Sequence, residues 1–379
     1  MNGPALKKVA LAAGGTGGHM FPAQALAREL LSRGIEVALF TDHRGGGLGP
    51  DLPQIQTYAI SSGGIAGIGL TGRVRSTMRI GFGYLQARTG LRACGAECVV
   101  GFGGYASVPP VLAGAHLGLR IVLHEQNAVF GRANRKLARY ADTICTSFET
   151  VSAAPATAGE KILLTGNPVR AAIAEIGRRP YGLPGSDGAL TLLVMGGSQG
   201  AAVFNDLVPE ALSSLPEEIR SRLTVHQQVP GQASDRIAEA YRKVGIAHEI
   251  APFFEDVHLR LAAAQLVICR AGASTLAELA SAGRPAILVP FPAAADDHQT
   301  ANAKGLCEAG GGWLMPQGSL TAQSLAERLR DLLSTPTLLA EAAHAALKTA
   351  KRDAQDRLAD AVCAVGQPNG DNAREEQAA

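Results

Sequence analysis

Several short stretches of this 379-residue chain carry residue types suited to holding an anion and moving a proton. The first is Gly14-Gly15-Thr16-Gly17-Gly18-His19. Glycines let a backbone turn sharply, and the free N–H groups of a helix start face an anion. An imidazole at its edge titrates near neutral pH. The glycine arrangement recurs half a chain later at Gly196-Gly197-Ser198-Gln199-Gly200. A third stretch is Gly272-Ala273-Ser274-Thr275-Leu276-Ala277-Glu278, with small residues at a helix start and a carboxylate on the next turn. Such N–H groups suit a pyrophosphate, and the carboxylate can accept from two vicinal ribose hydroxyls. Taken alone, Glu278 reads equally well as a surface helix glutamate. Two more polar clusters follow apolar runs, Gly103-Gly104-Tyr105 and His124-Glu125-Gln126-Asn127.

Placing these groups requires strands that end where the polar residues begin. An apolar run over 9–13 reads as a buried strand, and 22–33 as the amphipathic helix after it. Further strands are expected over 35–40, 54–60, 97–102, 119–124, 143–146 and 162–165, with a helix over 134–140. The second half repeats the pattern. It has strands at 190–195, 223–227, 247–251, 266–269, 286–289 and, as a final edge strand, 313–315. Helices are expected over 201–212, 234–244, 257–264, 320–333 and 338–364. Alternating strands and helices give an α/β chain with two Rossmann-like, doubly wound parallel sheets. In such sheets ligands sit at the carboxyl ends of strands, so the polar tips of the first half converge on one crevice. Gly166-Asn167-Pro168 is turn chemistry and reads as a hinge.

Composition narrows the class. The length suits two domains, and 46% hydrophobic content supports large cores. A net charge of +2 gives no bulk reason to expect nucleic acid as a partner. Six scattered cysteines without a Cys-x-x-Cys pair read as reduced thiols, not a zinc site. Lys7 and Lys8 precede an apolar run too short for a signal peptide, and no run is long enough to span a bilayer. The polar tail over 366–379 is expected to be disordered.

Rival chemistries fit poorly. A dinucleotide fold needs a small residue at the end of G-x-G-x-x-G, where Met20 stands here. No Gly-Lys-Ser/Thr follows either glycine run, which removes a Walker P-loop. No Asp-x-Asp sits between strand residues to hold a metal-bound nucleotide sugar.

The ordered set of motifs resembles the MurG family, the N-acetylglucosaminyltransferases of bacterial cell-wall synthesis. The matching pieces are the runs at 14–19, 103–105, 124–127 and 196–200, Gly166-Asn167-Pro168-Val169-Arg170, Arg270-Ala271-Gly272-Ala273, Glu278 and Asp297-His298-Gln299. Each is weak alone, but they follow family order over nearly the whole chain. The resemblance implies a GT-B glycosyltransferase. It would move N-acetylglucosamine from UDP-N-acetylglucosamine to the muramyl 4-hydroxyl of lipid I, with inversion, no cofactor and no obligatory metal. It implies an acceptor domain over 1–168, a UDP-sugar domain over 169–345, and a helix near 346–365 packing back on the first.

Carried over by position, Arg170 and Ser198, with Gln199 beside it, fall at donor phosphate and sugar. Phe254 falls where a backbone amide reads uracil. Ala273, Ser274, Thr275, Leu276, Ala277 and Glu278 cover pyrophosphate and ribose. Asn127, His298 and Gln299 fall near the transferred sugar, while Thr16, Gly17 and Gly18 line the acceptor crevice. For the general base, His19 competes with Glu125. The alternatives are a phosphate-donating His19 and a structural Glu125. Tyr105 either lines the acceptor site or packs. The loop at Pro292-Ala293-Ala294-Ala295-Asp296 is plainer than in the family, which leaves the roles of His298 and Gln299 open.

No acidic residue lies between Asp51 and Glu97, an interval carrying Arg73, Arg75, Arg79, Arg88 and Arg92 among Ile65, Ile68, Leu70, Met78, Ile80, Phe82 and Leu85. This reads either as an ordinary helix or as a surface for anionic lipid. A lipid-linked acceptor favours the second: peripheral attachment, through Ile65 to Leu85, to the cytoplasmic face of the inner membrane. Other cell-wall synthesis proteins are further candidate partners. Two alternatives remain, a 2-epimerase of the same fold needing no lipid acceptor, and a non-catalytic binder of nucleotide sugar or lipid pyrophosphate.

Overall fold

The computed structural model describes residues 6–15, 17–42, 48, 52–63, 70–183, 188–197 and 201–367, with side chains of 70–74 excepted. The chain divides into two compact units, Met1–Pro168 with Asp353–Ala379, and Val169–Arg352.

The first unit runs β1 Lys8–Ala12, α1 Gly17–Ser32, β2 Glu36–Thr41, β3 Gln56–Ala59, α2 Leu70–Cys94, β4 Cys98–Gly101, α3 Gly104–His116, β5 Arg120–Glu125, α4 Arg132–Leu137, β6 Thr143–Thr146 and β7 Ile162–Leu164. The second runs α5 Ala171–Ala174, β8 Leu190–Met195, α6 Phe204–Ser213, α7 Glu217–Arg220, β9 Leu223–Gln228, α8 Ser234–Lys243, β10 Ala247–Ala251, α9 Val257–Ala263, β11 Leu266–Cys269, α10 Ala273–Ala282, β12 Ala286–Leu288, α11 His298–Glu308, β13 Gly312–Leu314, α12 Ala322–Leu333 and α13 Pro336–Thr349. Last comes α14 Ala354–Val365, which belongs to the first unit.

Both sheets are parallel, in the orders β3-β2-β1-β4-β5-β6-β7 and β10-β9-β8-β11-β12-β13. The strand order of each reverses beside its first strand, at β1/β4 and at β8/β11, the kind of place where doubly wound sheets bind ligands. Helices cover both faces, so the central strands are apolar throughout. In β1 the two-residue period sends Val9 and Leu11 against Leu26 and Leu30 of α1 and Leu358 and Val362 of α14. Ala10 and Ala12 go to the other face, with Ala87 and Leu91 of α2 and Val111 of α3. Arg33 ties α1 to α14 through Asp360 at 2.6 Å.

Three expectations need correction. The helix placed over 22–33 begins at Gly17, so the glycine run enters its first turn. No helix was expected after Gly103, yet α3 forms there despite Pro109 and Pro110 inside it. The single helix over 338–364 is two, separated at Ala350–Asp353, where Ala350 turns extended and the chain passes from the second unit to the first. The polar tail lies, from 368 on, outside the described residues.

Candidate active site

In the first unit, β1, β4 and β5 are neighbours, and their carboxyl ends bring three motifs together. Gly14 follows β1 so closely under α3 that a Cβ there would stand 2.6 Å from Ala106 Cβ. Gly17, Gly18 and His19 occupy the first turn of α1, which holds no acidic side chain. N–H groups of a first turn lack intrahelical acceptors, which suits an anion. The His19 ring lies over the backbone of Gly104; a Cβ on Gly104 would come within 3.3 Å of Nε2. Gly104 also has φ +69°, so two separate demands favour glycine there. The next residue, Tyr105, is half-buried. Thr16 lies outside the described residues.

Beside this cradle, His124 is fully buried. Its Nδ1 accepts from Gln126 Nε2 at 3.1 Å, which leaves Nε2–H to donate to Gly166 O at 3.0 Å. Burial drives its pKa down to about 4, opposed by the bond to Gly166 and helped by the neighbouring His19, so the ring is neutral at pH 7. Gln126 Nε2 also donates to Phe102 O at 2.9 Å, joining the ends of β4 and β5. The polar tip of β5 thus fixes the Gly166-Asn167-Pro168 turn, at the boundary between the units.

Glu125 is turned inward. Its carboxylate accepts from the Asn127 N–H at 3.0 Å, the Gly131 N–H at 2.8 Å and Asn134 Nδ2 at 2.9 Å, and the residue is buried. Burial raises its pKa, and these donors act against the rise. A carboxylate caged by two backbone amides and the side-chain amides of Asn134 and, at 3.5 Å, Asn127 shapes the 126–131 loop. This geometry gives the expected rival base a structural place instead. Asn127 is half-buried at the loop's start.

In the second unit, Ser198 and Gln199 lie outside the described residues. The start of α10 is well defined. Gly272 is its N-cap, extended at φ −69° and ψ 141°, with no side-chain cap and no acidic residue in the first turn. Ala273, Ser274, Thr275, Leu276 and Ala277 form that turn, and Glu278, buried, follows. Arg170, the N-cap of α5, donates to Glu278 Oε1 from Nε at 2.9 Å and Nη2 at 2.8 Å. The expected phosphate cation and the expected ribose acceptor therefore pair with each other. The pair leaves Glu278 Oε2 for a hydroxyl. Burial raises the Glu278 pKa, and Arg170 lowers it.

Arg270 anchors the turn before α10, donating to Val289 O and Pro290 O at 3.1 Å each and to Gln317 Oε1 at 2.8 Å. Gln299 Oε1 accepts from the Ala271 N–H at 3.2 Å and the Phe291 N–H at 2.9 Å. It is thus partly structural, with only its amide nitrogen to offer a sugar. His298 Nδ1 donates to Ala295 O at 2.8 Å, turning Nε2 into an acceptor. Asp296 and Asp297, just before, are both left-handed, at φ 54° and 50°. Such conformations cost about 1–3 kcal/mol each and cluster at ligand sites. Phe254 is buried after β10, and its N–H meets no acceptor among the described residues.

Asn134 and the Arg170–Glu278 pairing escape a reading of the sequence. Asn134 sits on α4 and Arg170 is 108 residues from Glu278, so no local spacing marks either contact.

Comparison with known proteins agrees with this layout. Residues 9–146 match the glycosyltransferase family 28 N-terminal domain, and 191–358 the glycosyltransferase family 28 C-terminal domain. A Rhodospirillum centenum protein is 51% identical over 96% of both chains. It is described as UDP-N-acetylglucosamine--N-acetylmuramyl-(pentapeptide) pyrophosphoryl-undecaprenol N-acetylglucosamine transferase. The crystal structure of Acinetobacter baumannii MurG superposes with TM-score 0.72 at 31% identity, covering 94% of this chain and 99% of that one. A putative UDP-N-acetylglucosamine 2-epimerase from Listeria monocytogenes gives TM-score 0.66 at 17% identity, covering 93% of this chain and 95% of that one; this likeness is one of fold alone.

Proposed function

Since the chain belongs to glycosyltransferase family 28 and, within it, to the MurG family, we propose that it transfers N-acetylglucosamine from UDP-N-acetylglucosamine to the muramyl 4-hydroxyl of lipid I, giving lipid II and UDP. The observation that carries the donor side is the uncapped start of α10, followed one turn on by the buried Glu278. A diphosphate takes N–H groups of the first turn of α10, and the ribose takes Glu278 Oε2. The Phe254 N–H donates to uracil O4. His298 Nε2, the Gln299 amide nitrogen and Asn127 take sugar hydroxyls, with Ser198 and Gln199 beside the phosphate.

Transfer then proceeds by direct displacement. His19 removes the proton from the 4-hydroxyl as that oxygen attacks the anomeric carbon. The bond from that carbon to the UDP oxygen breaks on the opposite side, so the configuration inverts. The charge arriving on UDP meets the helix N–H groups and the cation of Arg170, preorganised by Glu278. The acceptor pyrophosphate takes the first turn of α1, at Gly17 and Gly18 next to Thr16, and Tyr105 borders it. Glu125 keeps the Asn127 loop in shape and takes no proton from substrate.

The acceptor's lipid tail places the first unit at a membrane, on the cytoplasmic face where nucleotide sugars are available. No helix among the described residues is long and apolar enough to cross a bilayer. On α2, Met78, Phe82 and Leu85 share one face at helical spacing and are 70%, 58% and 59% exposed, unusual for such large apolar side chains. Arg75, Arg79 and Arg92 are exposed around them. That combination suits insertion among anionic headgroups. Ile65 and Ile68, and the side chains of Leu70 and Arg73, lie outside what is described.

Radiolabelled UDP-N-acetylglucosamine with a short-chain lipid I analogue tests the proposal. Label in the lipid product supports it. Release of epimerised sugar, or binding of both substrates without turnover, overturns it.

A further inference from the structure

The segment Pro252-Phe253-Phe254-Glu255-Asp256 joins β10 to α9 and has no regular structure of its own. One side chain, Arg260, reaches back over it from α9. Its Nη1 and Nη2 bind Glu249 Oε2 and Oε1 at 2.8 and 2.6 Å, a bidentate pair with the strand before the segment. Its Nε binds Asp256 Oδ1 at 2.8 Å, at the N-cap of α9. Its flat face lies 3.9 Å from the centroid of the Phe254 ring. The Arg260 side chain is 10% exposed, whereas those of Glu249 and Asp256 are 53% and 41% exposed. The cation is thus the buried centre of the cluster. A planar fork with five donors can hold two carboxylates in its plane and an aromatic ring on its face; an ammonium cannot.

We propose that Arg260 is a positioning residue for base recognition: by clamping β10, Phe254 and the start of α9, it fixes the direction of the Phe254 backbone amide and so sets the preference for uracil over cytosine. This rests on the reading of Phe254 as the uracil contact. Uracil offers an acceptor at O4 and a donor at N3. Cytosine offers a donor amine and an unprotonated nitrogen at the same positions, so an N–H aimed at O4 meets another donor. Discrimination of this kind depends on a backbone that cannot turn away. With its donors engaged by Glu249 and Asp256, Arg260 acts on donor binding and leaves the chemical step alone.

The test compares the wild-type chain with Arg260→Met, Arg260→Lys and Glu249→Gln, each checked for folding by circular dichroism and thermal melting. UDP and CDP serve as competitive inhibitors of transfer to the lipid I analogue. For Arg260→Met the expected result is a roughly tenfold rise in the UDP-N-acetylglucosamine KM, a fall in the UDP-over-CDP preference of similar size, and kcat within twofold. Arg260→Lys should rescue neither, because it keeps the charge and loses the fork, and Glu249→Gln should shift both partway. If the wild type prefers UDP while Arg260→Met keeps that preference and KM, the clamp is refuted and the uracil reading stands. If the wild type itself shows no preference for UDP over CDP, the uracil reading fails, and the clamp with it. A variant that melts earlier but keeps both parameters below its melting point also overturns the proposal.

Discussion

Replacing His124 by glutamine should remove an acid sensitivity of the first unit. His124 is fully buried, holds Gly166 O through Nε2–H, and has its pKa lowered from 6.5 to about 4 by burial. Because the folded value lies below the unfolded one, the unfolded chain binds the extra proton between them. The stability His124 contributes is complete above pH 6.5 and is lost as pH falls through the window to about 4. At about 1.4 kcal/mol for each tenfold difference in proton affinity, the whole window is worth about 3 kcal/mol, and about 2 kcal/mol of it is lost by pH 5. Glutamine can still donate to Gly166 O but does not titrate. It starts less stable, having lost the ring that packs edge-on against Phe102 at 5.6 Å. The assay is hydrogen exchange of peptides covering β5 and residues 162–168, corrected for intrinsic exchange at each pH, since local opening is read there without assuming one transition for both units. The gap between wild type and His124→Gln should shrink by about 2 kcal/mol from pH 7.5 to pH 5. A gap that stays constant would mean that His124 takes up its proton in the native fold as readily as in the unfolded chain, which contradicts a burial-lowered pKa.

Three other outcomes follow from the same geometry. Glu125→Gln should lower the melting temperature of the first unit, because one caged oxygen becomes a donor facing donors at a cost of about 1–3 kcal/mol; loss of turnover with unchanged melting would restore Glu125 as a base. Glu278→Ala should raise the UDP-N-acetylglucosamine KM by tenfold or more and leave the acceptor KM alone, since it removes the ribose acceptor and releases Arg170; steady-state kinetics with each substrate varied will show whether the effect is confined to the donor. Vesicles rich in anionic lipid should bind the chain, weakly at high salt. Changing Arg75 and Arg79 to Glu, or Met78, Phe82 and Leu85 to Ser, should reduce pelleting in a sedimentation assay, and unchanged pelleting would remove α2 from the membrane surface.

The sequence exposes this fold where apolar runs are bounded by turn residues. The strands at 190–195, 247–251 and 266–269 end where Gly, Pro-Phe-Phe and Arg-Ala-Gly begin, and the structure places them at those residues. It is opaque where local signals conflict with packing. No helix was expected after Gly103, yet α3 runs through Pro109 and Pro110, with Ala106, Val111 and Ala113 buried. Residues 338–364 have helix-forming character throughout, with no Gly or Pro to mark a stop. The break at Ala350–Asp353 comes from the two flanking helices packing in different units. In the site, the start of α10 was legible because small residues announce it, whereas α1 begins at Gly17, ahead of the expected residue 22. The partners that orient side chains were not: Glu125 with Asn134, Arg170 with Glu278, and Gln299 with the Ala271 and Phe291 amides are contacts made by folding.

The most direct measurement on the central claim is the single-turnover rate of sugar transfer by His19→Ala, with UDP-N-acetylglucosamine and the lipid I analogue both saturating. With His19 as the general base, the rate should fall by about 10²–10⁴-fold while the affinities for both substrates hold within a few-fold. Transfer near the wild-type rate under those conditions would contradict the account.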